Sequence, residues 1–191
     1  MSDSKKRSVY VVLLHYPVLN RSGKELASAV TNLDIHDIAR SCKTYGVKRY
    51  FIVNPEEEQK KLVSAILMHW KEELTQVYHP SRAQALELVQ FFKTFEEMFN
   101  EVVVEEGQKP FVAMPDAKEL PGAIPYEALK ASMDDRPLIL VFGTAWGISP
   151  AFYKNVDVFL KPLYGQGQYN HLSVRSAVAI VLDKLFGRSV L

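Results

Sequence analysis

The residues able to do chemistry are concentrated where short apolar runs stop. His15-Tyr16-Pro17 follows the run Val9–Leu14, Met114-Pro115-Asp116-Ala117 follows residues 111–113, and Gly143-Thr144-Ala145-Trp146-Gly147 follows residues 138–142. After residues 156–160 comes a segment holding Pro162, Leu163, Asn170, His171, Leu172 and Ser173, which runs straight into a helical pattern. Gly143 and Gly147 let the backbone turn tightly and approach a ligand with no Cβ in the way. Asn170, His171 and Ser173 stand beside the free N–H groups of a helix start. His15 and His171 are candidates for proton handling, because histidine as a residue type changes charge near neutrality. Each of these signals has a plainer reading, since a glycine after a strand also makes a turn and a serine before a helix also caps it. The usual nucleotide fingerprints are absent: no G-x-G-x-x-G opens the first helix, and no G-x-x-x-x-G-K-[ST] occurs. The five histidines include no i, i+4 pair, so no metal site is expected. Cys42 falls on a core-facing helical position and reads as a buried thiol. His36 and Asp37, consecutive on a helix, point apart.

The elements that must position these groups alternate. The run Val9–Leu14 (VYVVLL) predicts a strand buried on both faces. Residues 34–45 predict a helix capped by Asp34, with Ile35, Ile38, Cys42 and Tyr45 on one face and Gly46 at its left-handed end. Residues 50–53 predict the next strand, followed by a helix with Leu62, Ile66, Trp70 and Leu74 on one face. Residues 81–100 predict a single helix, opened by a capping box at Ser81 and Gln84 and striped by Leu86, Val89, Phe92, Phe95 and Phe99. Residues 102–104 and 111–113 are β-rich, and either fits a central strand. A short helix is expected over 126–133, strands over 138–142 and 156–160, and a closing helix over 173–186. That last helix points Ala177, Ile180, Val181 and Leu185 inward, with Gly187 behind it. This alternation implies an α/β protein with a mostly parallel sheet flanked by helices. In such sheets ligands sit at the carboxyl ends of the strands, where the residues above lie. The proline-spaced stretch 110–125 is the longest irregular part, and loops of that length are more often functional than idle.

A chain of 191 residues fits one domain over 1–191, with residues 1–8 flexible. Hydrophobic residues at 48% and charged residues at 24% exclude a disordered tail, a collagen-like repeat and a coiled-coil rod. The longest nearly apolar stretch, 138–148, is too short to span a bilayer. The polar, basic start without an apolar core argues against a signal peptide, and a cytoplasmic protein is expected. Charge is uneven along the chain. Residues 1–55 carry nine Lys/Arg against four Asp/Glu, residues 56–135 eight against sixteen, and residues 136–191 six against two. A fold that brings the basic ends together can attract a polyanion despite a net charge of +1.

Together the loops resemble a known family. Gly143-Thr144-Ala145-Trp146-Gly147 after a buried strand, then Pro162-Leu163, then Asn170-His171-Leu172-Ser173-Val174 opening an alanine-rich helix, is similar to the C-terminal half of the SPOUT RNA methyltransferases. These are S-adenosylmethionine (SAM)-dependent enzymes of the SpoU and TrmD branches. Asp34-Ile35-His36-Asp37-Ile38-Ala39-Arg40 resembles the first SpoU motif, in which an arginine follows an asparagine by six residues. The resemblance covers the chain from Val9 to Leu185 and looks closest to a small bacterial single-domain group. It implies a mostly parallel sheet with a C-terminal deep trefoil knot. It also implies SAM as cofactor, surrounded by the loops holding Met114 and Pro115 and Phe142, Gly143, Thr144 and Gly147. Leu160, Pro162 and Leu163 would wall the adenine, and Asn170, His171, Leu172 and Ser173 would close the site. Arg40 takes the acceptor-activating role, with Asp34 and His171 as further catalytic candidates. Asp34 stands where the SpoU pattern has asparagine, with Asn32 two residues earlier, and His171 also replaces an asparagine.

The resemblance further implies an RNA substrate, tRNA or rRNA, with ribose 2′-O methylation favoured. It implies a homodimer with its active site at the interface, and neither metal nor membrane. RNA contacts would come from Lys5, Lys6, Arg7, Arg21 and Lys24, and from Lys154, Lys161 and Arg175. Three other readings fit the same residues. One is base methylation of TrmD type, with Asp34 taking a proton from a ring nitrogen. The others are a non-catalytic SAM or RNA binder and a flavodoxin-like module whose glycines are turns.

Overall fold

The computed structural model describes residues 7–71, 78–132, 134–167 and 169–188. Lys5, Lys6 and Leu74, named above, and Met133, the last residue of the helix expected over 126–133, lie outside the described residues. Six strands form one sheet: β1 (Val9–Leu14), β4 (Arg49–Val53), β5 (Val89–Phe92), β6 (Phe111–Pro115), β7 (Leu138–Gly143) and β8 (Val158–Leu160). Their order is β5-β4-β1-β7-β6-β8 and every neighbouring pair is parallel. β2 (Val18–Leu19) and β3 (Glu25–Leu26) make a small antiparallel hairpin beside it.

The unbroken apolar run of β1 follows from its central place. Leu13 lies opposite Ile52 of β4 on one side and Phe142 of β7 on the other. Successive side chains then enter opposite cores. Val9, Val11 and Leu13 join one core with Ile35, Ile38 and Cys42 of α1 (Asn32–Tyr45), Leu129 of α5 (Tyr126–Ser132), and Val178, Val181 and Leu182 of α6 (Val174–Phe186). Tyr10, Val12 and Leu14 join the other, with Met98 and Val102 of α4 (Phe95–Glu106) and Phe152 of the 3-10 turn Pro150–Asn155. Each fully buried Leu or Ile contributes about 1.5–3 kcal/mol. Breaking the alternation of β1 would therefore damage both layers at once. α2 (Glu57–His69) and α3 (Pro80–Leu86) complete the layers. Among the described residues no helix is long and apolar enough to cross a membrane.

Several sequence expectations need correction. Residues 81–100 form not one helix but α3, then β5, then the start of α4. Pairing with β4, which sets Val89 opposite Tyr50 and Phe91 opposite Ile52, overrides the helical stripe. The capping box sits at Thr94 and Glu97 rather than at Ser81 and Gln84: the Thr94 hydroxyl accepts from the Glu97 amide, and the Glu97 carboxylate accepts from the Thr94 amide. Residues 102–104 are helical, not strand, because Met98 and Val102 bury one face of α4 while Val104 stays exposed. Thr31, not Asp34, caps α1, its hydroxyl accepting from the Asp34 amide at 3.2 Å. On α2 the buried residue is Val63, with Leu62 exposed, and on α6 Ile180 is exposed while Val178 and Leu182 point inward.

Because every strand is parallel, all carboxyl ends emerge at one edge. The strand order reverses at the β1–β7 pair: the chain leaving β1 enters α1 on one face, and the chain leaving β7 reaches Phe152 on the other. A crevice between such diverging loops is where doubly wound sheets place ligands.

Candidate active site

A cavity of about 700 Å³ opens at this edge, within the roughly 300–1,000 Å³ common for small-molecule sites. Ser28, Thr31 and Asp34 line it from the N-terminal segment, and Pro115, Asp116 and Ala117 from the loop after β6. Phe142, Gly143, Thr144, Trp146 and Gly147 close it from the β7 loop. The far wall is Leu163, Asn170, His171, Leu172 and Ser173, with Ala177 and Val181 of α6 and Tyr126 of α5.

The β7 loop is rigidly placed. Gly147 has φ +106, a conformation that side chains other than hydrogen rarely adopt, and Ala145 also has a positive φ of 54. The Trp146 amide donates to the Leu19 carbonyl at 3.1 Å and the Leu19 amide to the Gly147 carbonyl at 2.9 Å. The Ser149 amide donates to the Pro17 carbonyl at 3.1 Å, and the Ser149 hydroxyl donates to the Glu25 carboxylate. The β7 loop is thus zipped to the segment that leaves β1. That segment is anchored in turn: the Asn54 side chain donates to the Ser28 carbonyl at 2.9 Å, and the Ser28 amide to the His15 carbonyl at 2.9 Å.

His15 does not reach the cavity. It is completely buried, and burial pushes its pKa down to about 4, so the imidazole is neutral at physiological pH. Its Nδ1 lies 2.8 Å from the Ser28 hydroxyl, and Ser28 and Thr144 do line the cavity. Sequence reading of His15 as a proton carrier gives way to a structural anchor behind the wall.

Met114, Leu160 and Pro162 are buried and form no part of the cavity surface. They support the loops that do. Phe142, Gly143, Thr144, Gly147, Leu163 and residues 170–173 meet in one place, as does Pro115. Asn170 donates to the Ala117 carbonyl at 3.2 Å and joins two walls of the cavity. His171 is exposed at the rim, its ring 5.4 Å from that of Tyr169. Ser173 caps α6 by accepting from the Ser176 amide at 3.3 Å.

Asp34 and Arg40 separate. Asp34 is buried at the cavity, accepts from the Thr31 hydroxyl at 2.5 Å and lies 3.6 Å from Arg175. Arg40 is six residues further along α1, about 9 Å along the axis and about 120° round it. It lines a second groove of about 600 Å³ between α1 and α6, with Asp37, Tyr45, Ser173 and Arg175. Arg175 bridges the two places, its Nε 3.4 Å from Asp37. The Arg40 side chain therefore lines no part of its own chain's cavity.

Ser28 and Tyr126 are lining groups that the sequence does not single out, whereas Asp116 is expected here as part of the loop after residues 111–113. Ser28 comes from a loop with no motif. Asp116 is partly buried, and desolvation raises its pKa against the opposing pull of Lys118, whose amide donates to it at 2.8 Å. The Tyr126 hydroxyl is buried without a hydrogen-bond partner, and burial pushes its pKa up to about 12. An unpaired buried hydroxyl at a cavity costs about 1–3 kcal/mol until a ligand satisfies it. The donor set, an apolar wall with a few convergent polar groups, fits an adenosine-containing sulfonium compound. Among the described residues no group of three or more His, Cys, Asp or Glu is placed to hold a metal ion.

Comparison with known proteins gives this site its context. A family model described as SAM-dependent RNA methyltransferase matches residues 8–187. An uncharacterized protein of Aquifex aeolicus is 36% identical over 184 residues, which are 95% of this chain and 90% of that protein. A tRNA (guanine-N(1)-)-methyltransferase of Oleidesulfovibrio alaskensis is 38% identical over 181 residues, 95% of this chain but only 42% of that protein. More than half of that relative therefore lies outside the match. Among solved structures, the A. aeolicus TrmH/SpoU tRNA modifying enzyme superposes with a TM-score of 0.58 at 15% identity, over 94% of this chain and 74% of that one. The SpoU methyltransferase AviRb of Streptomyces viridochromogenes, solved with AdoMet, gives 0.58 at 14% identity, over 94% and 57%. These two likenesses show the shared fold. On the family match and the near full-length A. aeolicus relative, the chain belongs to the SAM-dependent RNA methyltransferase family.

Proposed function

We propose that the chain methylates a ribose 2′-hydroxyl of a tRNA or rRNA nucleotide, holding SAM in the cavity at the carboxyl ends of β6 and β7. The observation that carries this reading is the convergence of five separate segments, from Ser28 to Val181, on one cavity. Bound SAM supplies a methyl group on a positively charged sulfur. Leu163, Phe142 and Val181 offer an apolar wall for the adenine, while Asp116, Tyr126 and the β7-loop backbone offer polar partners. The pinned β7 loop fixes the geometry that an in-line displacement requires. Arg40 stabilises the charge that develops on the acceptor oxygen as its proton leaves. In this reading His171, exposed at the rim, receives that proton.

Arg40 lies outside the cavity of its own chain, so the reading includes a homodimer in which a second copy completes the site. Exposed apolar side chains on the relevant elements support it: Leu33 on α1, Leu172 before α6 and Ile180 on α6. The proposal also carries the trefoil knot. Support comes from the return path of the chain, which pairs Leu160 with Ile124, donates from the Lys161 amide to the Ile124 carbonyl at 3.0 Å, and passes Ala117 at Asn170 before entering α6.

A second reading, methylation of a ring nitrogen, draws on Asp34, a carboxylate that lines the cavity where the resemblance has an amide. The experiment that decides is transfer of radiolabelled methyl from SAM to total tRNA and, separately, to rRNA, followed by nucleoside analysis. A 2′-O-methylated nucleoside supports the proposal and a base-methylated one transfers it to Asp34. SAM binding with no transfer to either RNA contradicts both.

A further inference from the structure

We propose that Trp146 is a stacking platform for an unpaired base of the RNA, so that the enzyme takes its acceptor from a single-stranded or looped element. The inference rests on the reading that RNA reaches this cavity. Trp146 lines the cavity yet keeps 57% of its surface exposed. A free indole at a cavity mouth forgoes burial that other aromatic side chains of this protein obtain, and among the described residues its ring meets no other aromatic or cationic group.

The backbone around it is built to hold it there. Ala145, the one non-glycine residue with a positive φ among the described residues, precedes it, and Gly147 at φ +106 follows it. Strain of this kind persists only where the surroundings over-determine it, here through the hydrogen bonds to Leu19 on either side of the indole. The backbone that carries the indole is thereby pinned at the cavity mouth, so none of the loop has to be ordered when a base stacks on the ring.

Charge on the neighbouring hairpin indicates which occupant fits. Leu19 belongs to β2, and the turn from β2 to β3 exposes Arg21 and Lys24. An aromatic plane beside cations with access to solvent is the arrangement that binds single-stranded nucleic acid, the base on the ring and the backbone along the cations. In A-form duplex RNA the bases are stacked inside and offer no face to an indole. The apolar wall of Leu163, Phe142 and Val181 lies elsewhere around the same cavity, leaving the rim to the RNA.

Trp70 and Trp146 are the only tryptophans, so Trp70→Phe leaves Trp146 as the sole reporter. In that background a short oligoadenylate should quench the fluorescence, and a blunt RNA duplex of the same length should not. Trp146→Ala should weaken oligoadenylate binding by about tenfold or more and Trp146→Phe should keep most of it, while calorimetric titration of the unsubstituted protein with SAM reads the cofactor site. Unchanged oligoadenylate affinity in a folded Trp146→Ala variant would overturn the proposal. Equal quenching by the duplex, no quenching at all, or a changed oligomeric state in Trp146→Ala would do the same. The fluorescence arm needs no SAM, so a failure of cofactor binding is seen separately.

Discussion

The Ser28 and Thr144 hydroxyls lie 2.5 Å apart, although 116 positions separate them in the chain. His15 Nδ1 lies 2.8 Å from the Ser28 hydroxyl, and the Thr144 hydroxyl is also 3.4 Å from the Leu14 carbonyl. The three side chains form one hydrogen-bonded series from a buried imidazole to the cavity wall.

This chain predicts coupling. Thr144→Val and Ser28→Ala should each weaken SAM binding, and the double variant should lose less than the two losses combined, by about 0.5–1 kcal/mol or more. Calorimetric titration of the three variants measures it. Strict additivity would show that the two hydroxyls act independently.

Acid stability should depend on His15. Its folded pKa is lowered to about 4 by burial, with the charge of Asp34 pulling the other way. Above the unfolded value near 6.5 both states are neutral and the native state carries no penalty. As pH falls from about 6.5 to about 4, the unfolded chain takes up a proton that the folded one refuses, and stability declines by on the order of 3 kcal/mol. His15→Asn keeps a donor near the Nδ1 position and removes the titration. Denaturant midpoints from about pH 7 to about pH 4.5 should therefore fall less steeply for the variant. Identical slopes would assign the acid sensitivity to other groups.

Gly147→Ala should weaken SAM binding severalfold in a folded protein. At φ +106 an added Cβ meets nothing closer than the Asp116 carboxylate at 3.9 Å, so the effect is backbone strain of about 1 kcal/mol or more. Gly143 behaves differently. A Cβ there would come within 2.6 Å of the buried Ile148 side chain, so Gly143→Ala should lower the melting temperature as well as the affinity. Thermal melts beside SAM titrations separate the two. Equal stability loss at both positions would contradict this assignment.

Arg40→Ala should leave SAM affinity within about twofold and reduce methyl transfer by about a hundredfold or more. The first half follows from its place in the α1–α6 groove, outside its own cavity. Paired measurement of SAM affinity and of turnover on an active RNA preparation tests both halves. A fully active variant would remove Arg40 from the reaction.

How far the sequence foretold this structure depends on how local each signal was. β1 and β7 were legible because a central strand buried on both faces must be apolar at every position. The Gly46 cap of α1 was legible because left-handed ends favour glycine. β5 was not, since Val89, Phe92 and Phe95 also fit a helical stripe and only the distant β4 decides between them. The β7 loop and residues 170–173 were found in the cavity because they follow strand ends. Ser28 and Tyr126 were not, since their place depends on how the loops after β1 and β6 cross the sheet edge. The family resemblance assigns Met114, Leu160 and Pro162 to the cofactor site, whereas Met114 and Leu160 pack into the two cores from their strands and Pro162, past the end of β8, is buried.

The most direct test of the account is calorimetric titration of the purified protein with SAM and S-adenosylhomocysteine, set beside the same titration of Gly147→Ala. The account predicts saturable binding at one site per chain, weakened in the variant. A folded protein that binds neither compound, with or without added RNA, would contradict the assignment of the cavity to the methyl donor.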